Sequence, residues 1–148
     1  MMNIKRSKVI NASVEKVFSY LGDSATYTQW MPNMAEVFNI TGEGRGQKWD
    51  FKYKTFGMTM DGQGEALDHI DNQKRVNKSF GTVESTWAWS VSPQDKGTLL
   101  AVEIEGGAPL PIMGKVAEKL IAKQINDEVD DVMASLKTLV EGGSGTWR

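Results

Sequence analysis

The spacing of the hydrophobic positions changes twice along the chain, and each change predicts a change of secondary structure. Residues 3–10 predict a short first strand, and the capped, helically spaced stretches 13–21 and 23–30 predict two short helices. From Met34 onward the apolar positions recur at every second residue, which is typical of strands with one buried face. Over residues 112–141 they recur with helical spacing. This order predicts an α+β helix-grip fold, in which a curved antiparallel sheet of about seven strands surrounds one long C-terminal helix.

Six strands are predicted after the two short helices, separated by turn-rich segments. They cover residues 36–40, 48–54, 56–69, 75–80, 83–91 and 100–105. Gly62 and Gly64 lie inside the third of these strands and predict a bulge or a sharp bend in the sheet.

The alternation also predicts which side chains share the concave face of the sheet. Trp49, Phe51 and Tyr53 alternate with charged residues, so we expect them on the buried face. The same reasoning places Met58, Met60, Phe80, Trp87 and Trp89 on that face. A flat sheet would use these side chains as ordinary core, whereas a strongly curved sheet would leave a pocket lined by aromatic rings.

The apolar stripe of the long helix rotates along its length, so its two halves face different directions. The first half, which contains Met113, Val116 and Leu120, is expected to cover the pocket. The second half is expected to pack on the sheet. Gln124 falls within the first half of the stripe, where it either points into the pocket or lies in water at the edge of the stripe.

The length and charge of the chain limit its organisation and its partners. The chain has 148 residues, which predicts one domain over residues 1–141. Residues 142–148 have the composition of a linker and predict a disordered tail or an expression remnant. The net charge of -2 gives no general attraction to nucleic acid or anionic lipid.

The chain contains no cysteine, which excludes disulfides and thiolate metal sites and is compatible with a cytoplasmic location. The first ten residues do not resemble a signal peptide. No segment approaches the roughly 18 consecutive apolar residues of a membrane span.

Few residues point to catalysis. His69 is the only histidine, and its place beside two aspartates near a turn predicts a solvated loop residue. A zinc site needs about three protein ligands, and the G-x-S-x-G motif of a serine hydrolase is absent. The glycine-rich segment 42–46 lacks the Lys-Ser/Thr of a phosphate loop and predicts a hairpin turn.

The acidic residues of the strands give a similar picture. Glu84, Glu103 and Glu105 alternate with apolar residues, so we expect them on the solvent face of the sheet. Asp61 is ambiguous, because a bulge at this point could turn it inward.

Four local patterns carry a resemblance that covers residues 4–141. They are the strand-to-helix entry at 10–18, the Trp-x-Pro helix ending at 27–32, the strand opening at 46–49 and the Gly-Thr turn at 96–98. Together with the order of elements, they resemble the START-like (SRPBCC) superfamily, also called polyketide cyclase/dehydrase and lipid-transport-like. The resemblance implies a deep apolar cavity between the sheet and the last helix. Members bind lipids, sterols, polyketides, hormones or aromatic compounds, and some are enzymes.

The resemblance also implies where the cavity opens. The mouth would lie near residues 30–32 and 56–57, with the loop 106–112 as a gate. The alternative for that loop is an ordinary connection between strand and helix.

These observations predict a ligand-binding site without catalytic residues, cofactor or metal. Its residues are Trp30, Trp49, Phe51, Tyr53, Met58, Met60, Phe80, Trp87, Trp89, Met113, Val116, Leu120 and Gln124. The first hypothesis is a protein that binds or carries a hydrophobic small molecule such as a lipid, a polyketide or an aromatic compound.

Two alternatives stay open. One is a cyclase- or dehydratase-like enzyme on a polyketide-type substrate, with Tyr53, Asp61 or Gln124 as the available polar groups. The other is a protein-interaction domain whose pocket is filled by its own side chains. No nucleic-acid partner and no stable membrane insertion are expected, and the oligomeric state is left open.

Overall fold

The computed structural model of the chain describes residues 2–81, 84–106 and 115–142, with side chains in the last segment from Lys119 onward. The elements are β1 (Met2–Ile10), α1 (Val14–Leu21), a 3-10 turn (Ser24–Thr26), α2 (Tyr27–Trp30), β2 (Met34–Thr41), β3 (Lys48–Thr55), β4 (Met58–Ile70), β5 (Lys74–Gly81), β6 (Ser85–Gln94), β7 (Gly97–Gly106) and α3 (Lys115–Gly142).

Several predictions made from the sequence fall outside the described part of the chain. They concern Val83, Met113, the gate residues 107–112 and the tail residues 143–148, together with the side chain of Val116. The domain boundary at residue 141 also stays a prediction.

The seven strands form one antiparallel sheet in the order β1-β7-β6-β5-β4-β3-β2. Strands that follow one another from β2 to β7 are neighbours because short turns connect them. The sheet is curved, and α3 packs on its concave face through Val129, Val132, Met133, Leu136 and Val140. This arrangement confirms the predicted α+β helix-grip fold.

The first helix forms where the sequence predicts it. The Ser13 hydroxyl accepts a hydrogen bond from the Lys16 amide at 3.1 Å, so one free amide of the first turn is satisfied. The helically spaced residues Val17, Phe18 and Leu21 are buried. None of the described helices has the length and apolar character of a membrane-spanning segment.

Of the two alternatives predicted at Gly62 and Gly64, a bulge or a sharp bend, the bulge is wrong. The pairing of β3 with β4 runs without interruption from Lys48 opposite Glu65 to Thr55 opposite Met58. The irregularity lies instead on the other side of β4, where the register with β5 shifts between Ala66 and Asp68.

The predicted face of β5 is also wrong. Arg75 and Asn77 are buried, so the inward face of this strand carries polar side chains. Val76 and Phe80 therefore lie on the opposite face, because successive side chains of a strand alternate. The Lys78 ammonium, on the same outer face, lies 5.2 Å from the centre of the Phe80 ring.

Arg75 is fully buried and donates hydrogen bonds to four residues from different parts of the chain. Its guanidinium contacts the Asn77 side-chain oxygen at 2.8 Å, the Gln47 side-chain oxygen at 2.6 Å and the Gly22 carbonyl at 3.1 Å. It also lies over the indole ring of Trp49, 5.6 Å from the ring centre. Hydrogen bonds to a charged donor are stronger than neutral ones, and they offset part of the desolvation of the buried cation.

The fourth partner of Arg75 is His69, and the prediction of a solvated loop histidine is wrong. His69 lies in β4 with 11% of its side chain exposed. Its Nδ1 is 3.0 Å from Arg75 Nη1, and its Nε2 is 2.7 Å from Asp71 Oδ1. A guanidinium has no acceptor, so Nδ1 accepts from Arg75 and Nε2 donates to Asp71. The histidine thus links the buried cation to an exposed carboxylate.

We predict that Arg75→Met lowers the free energy of unfolding by about 3–5 kcal/mol, because it leaves the acceptors of Gln47, Asn77 and Gly22 without their donor. Urea denaturation measures this change. The matched control is Lys78→Met on the outer face of the same strand, which should change stability by less than about 1 kcal/mol. Equal effects of the two substitutions would contradict the structural role of Arg75.

Candidate functional site

A cavity of about 150 Å³ lies between the concave face of the sheet and α3. Six of the residues predicted for the site line it: Trp49, Phe51, Tyr53, Met60, Trp87 and Trp89. Further apolar side chains complete the wall, among them Ile4, Met31, Met34, Ile104, Ile125 and Val132. The cavity therefore has mostly apolar walls with a few polar groups, which is the usual composition of a small-molecule site.

Two glycines of β4 let the aromatic rings of β3 lie flat on the sheet. A Cβ atom at Gly64 would stand 2.2 Å from the Trp49 ring, and one at Gly62 would stand 2.4 Å from the Phe51 ring. These residues face each other across the β3–β4 pair. Gly62 and Gly64 thus permit close packing, because the aromatic rings occupy the space that a side chain at these positions would fill.

The polar centre of the cavity is Glu128 of α3, which the sequence reasoning missed. Glu128 is 7% exposed, and it lines the cavity. The carboxylate accepts hydrogen bonds from Tyr53 Oη at 3.0 Å, Thr55 Oγ1 at 2.6 Å and Gln124 Nε2 at 3.0 Å. One face of β3 and one turn of α3 therefore converge on a single carboxylate.

A signal for Glu128 was present in the helix pattern. The residue lies three positions after Ile125 and four before Val132, so it shares their helix face. An acidic residue on an apolar stripe indicates a buried partner or a function. The partners could not be read in the same way, because Tyr53 and Thr55 come from a distant strand.

The environment of Tyr53 keeps its hydroxyl protonated. Burial raises the pKa of Tyr53 far above its ordinary value, and the charge of Glu128 and the hydrogen bond to it raise the pKa further. The phenol is therefore a hydrogen-bond donor at neutral pH and not a base.

Gln124 has two surroundings. It donates to Glu128, and it also lines a shallow depression on the outer surface together with Phe56 and Leu120. Of the two alternatives left open for this residue, the structure favours the edge of the stripe, because Gln124 is exposed and does not line the cavity, although its amide donates to the cavity carboxylate.

Phe56 lies between that depression and the cavity, since it lines both. It precedes Gly57 in the two-residue turn that joins β3 to β4, and both residues have positive φ angles, of 53° and 72°. A bulky side chain in this region of φ costs about 1–3 kcal/mol. The strained turn at Phe56 and Gly57 is therefore at one of the places predicted for the cavity mouth.

Several predicted site residues lie elsewhere. Met58 is 42% exposed at the start of β4, and Leu120 is 64% exposed. Phe80 lies on the outer face of β5. Trp30 is buried in the core, where its ring packs 5.5 Å from that of Trp89 and its indole N–H donates to Thr26 Oγ1.

Asp61 is not turned inward as a catalytic acid. Its carboxylate accepts a hydrogen bond from Lys52 Nζ at 2.8 Å, and its side chain is largely exposed. The β3–β4 pairing continues through this residue, so its side chain belongs to the outer face. Within the described ranges, no three His, Asp or Glu side chains are placed to hold a metal ion.

Comparison with known proteins extends this picture. The family model for polyketide cyclase/dehydrase and lipid transport matches residues 1–141. No curated protein matches the chain by sequence.

Solved structures match the fold over nearly the whole chain. A protein from Thermus thermophilus has a TM-score of 0.85 at 18% identity, covering 97% of this chain and 100% of that chain. A START superfamily protein from Mycobacterium smegmatis has a TM-score of 0.78 at 16% identity, covering 94% of this chain and 97% of that chain. The di-domain ARO/CYC StfQ from the steffimycin biosynthetic pathway has a TM-score of 0.78 at 16% identity, covering 97% of this chain and 52% of that chain. At these identities the likeness confirms the START-like fold alone.

We predict that Gly64→Ala destabilises the protein by about 1–3 kcal/mol, because the added methyl group overlaps the Trp49 ring. Chemical denaturation measures the loss. Gly142→Ala is the control, since a Cβ atom there meets no atom of another described element within 4 Å. If Gly64→Ala were as stable as the wild type, the close packing of Trp49 on β4 would be disproved.

We further predict that the stability of the wild type falls more steeply above pH 10 than that of Tyr53→Phe. The pKa of Tyr53 is raised in the folded state above its ordinary value of 10.0. The unfolded chain therefore releases this proton near pH 10 while the folded chain retains it, and stability falls as pH rises, by up to about 1.4 kcal/mol per pH unit. Urea denaturation between about pH 9 and 11.5 measures the two slopes on either side of the ordinary tyrosine pKa. Parallel slopes would contradict the prediction; Tyr27 contributes equally to both proteins.

Proposed function

The chain belongs to the polyketide cyclase/dehydrase and lipid transport family, and on this premise we propose that it binds a hydrophobic small molecule in the cavity beneath α3. The class of ligand is a lipid, a polyketide or an aromatic compound. The observation that carries the proposal is the cavity itself, walled by aromatic and aliphatic side chains from most strands of the sheet.

The volume of the cavity limits what fits without rearrangement. An apolar protein cavity of about 150 Å³ is large enough for benzene. The present cavity therefore suits one aromatic ring or a short apolar chain. A larger ligand would require the lining side chains to move, among them Phe56, which lies in a turn with positive φ angles.

A second candidate function is acid–base chemistry on a polyketide-type substrate. Glu128 favours it, because an ionisable side chain in an apolar cavity is a usual feature of an enzyme site. The roles considered from the sequence would change: Tyr53 and Gln124 would hold the carboxylate in place, and Asp61 would take no part. Incubation of an extracted ligand and its chemical precursors with fresh protein tests this candidate, since an enzyme would convert one of them and a carrier would return all of them unchanged.

The third candidate, an interaction domain with a filled pocket, has less support because space is left beneath α3. A cytoplasmic location and the absence of a nucleic-acid partner stay predictions from composition.

The proposal predicts that Met60→Trp weakens ligand binding at least about tenfold, or about 1.4 kcal/mol. The larger side chain would occupy the cavity. Met58→Trp is the matched control, because Met58 lies two residues away on the same strand and does not line the cavity. Titration with a fluorescent hydrophobic probe measures both variants, and thermal denaturation shows whether they are folded.

Native mass spectrometry of the purified protein, followed by organic extraction, tests the proposal directly. A co-purifying hydrophobic molecule that is missing from Met60→Trp would support it. A clean apo mass together with equal probe binding by Met60→Trp and Met58→Trp would refute it.

A further inference from the structure

We propose that the cavity selects a ligand in which an aromatic or apolar group carries a protonated amine, with Glu128 as its counter-ion. This inference rests on the proposed function, because it names the chemical class of the small molecule bound in the same cavity.

The hydrogen bonds of Glu128 all come from neutral groups. Tyr53, Thr55 and Gln124 donate to it, and within the described residues no Lys or Arg nitrogen lies within 4 Å of its carboxylate. A carboxylate that is removed from water without a cation is costly to keep charged. A cationic ligand would supply the missing charge at a place where the carboxylate is already desolvated.

The carboxylate also has room for another donor. Oε2 accepts two hydrogen bonds, from Thr55 and Gln124, whereas Oε1 accepts one, from Tyr53. Two carboxylate oxygens can accept about four hydrogen bonds. An ammonium group has three donors, so one of them can use the remaining capacity of Oε1.

Two other charged residues, Lys78 and Asp61, also line the cavity, but their charged groups have partners elsewhere. Lys78 lies over the Phe80 ring on the outer face of β5, and Asp61 pairs with Lys52. Arg75 stacks on Trp49 and does not line the cavity. Glu128 is thus the buried charged group of the described lining residues, and its carboxylate has no cationic partner among them.

The walls favour a cation as well. The rings of Trp49, Phe51 and Trp87 line the cavity, and the faces of aromatic rings attract cations within about 6 Å. The same features disfavour an anion, because a ligand carboxylate would face both the ring faces and the like charge of Glu128. The cavity should thus rank an amine above a neutral molecule and a neutral molecule above an acid.

Three single-ring probes test this ranking: 2-phenylethylamine and propylbenzene, which have nearly equal shape, and the slightly larger 3-phenylpropanoate. Each has a single aromatic ring, as the volume of the cavity requires. At neutral pH and low salt, we expect the amine to bind at least about tenfold more tightly than propylbenzene, as a charge-assisted hydrogen bond allows. The acid should bind most weakly. Isothermal titration calorimetry measures all three, and Met60→Trp shows whether they occupy the cavity.

Two variants locate the preference. Glu128→Gln should bind the amine and propylbenzene within about twofold of each other, with propylbenzene bound as in the wild type, because the charge-assisted bond is lost. Asp127→Asn is the control, because Asp127 is an exposed carboxylate on the neighbouring position of α3, paired with Lys123, and it should keep the preference. If Glu128→Gln does not fold, the ranking of the three probes by the wild type still decides the question.

The outcomes separate this inference from the proposed function. Binding of propylbenzene without any preference for the amine would overturn the inference and leave a general hydrophobic site. An amine preference that persists in folded Glu128→Gln would also overturn it. If none of the three probes bound, both the inference and the proposed ring-sized site would fail.

Discussion

The buried guanidinium of Arg75 is the constraint on which the rest of the structure depends. A charge inside a protein must be surrounded by polar partners, and here they come from the residue after α1, the residue before β3, and from β4 and β5. Asn77 continues the network, because it donates to the hydroxyl of Tyr27, which in turn donates to the carbonyl of Leu21. The two short helices are thereby attached to the middle of the sheet.

Tyr27 and Asn77 of this network line the cavity, as does Glu128 of α3. Trp49 joins the network to the cavity wall, since it stacks on Arg75 and lines the cavity. Its ring can lie flat because Gly64 has no side chain. The carboxylate of Glu128 is held by one donor from its own helix and two from β3. The site is therefore preorganised by hydrogen bonds between the helix and the sheet, and not by apolar packing alone.

Fold and function rest on different residues in this protein. The family match and the structural likenesses concern the arrangement of strands and helices, which many unrelated binding activities share. The selection of a ligand would depend on a few side chains, chiefly Glu128 with Tyr53 and Thr55.

The sequence by itself determined the number, kind and order of the elements, together with the buried faces of β3 and β6. In those strands the inward residues are apolar, so the alternation directly reports burial. Only the tertiary structure decided which face of β5 is buried. Arg75 and Asn77 lie inside, so Phe80, predicted to face the cavity, lies on the outer face. The tertiary structure also decided the role of Gly62 and Gly64 and the burial of Glu128. These features depend on partners distant in the chain, such as Tyr53 and Glu128 at 75 positions apart, and local periodicity carries no information about such partners.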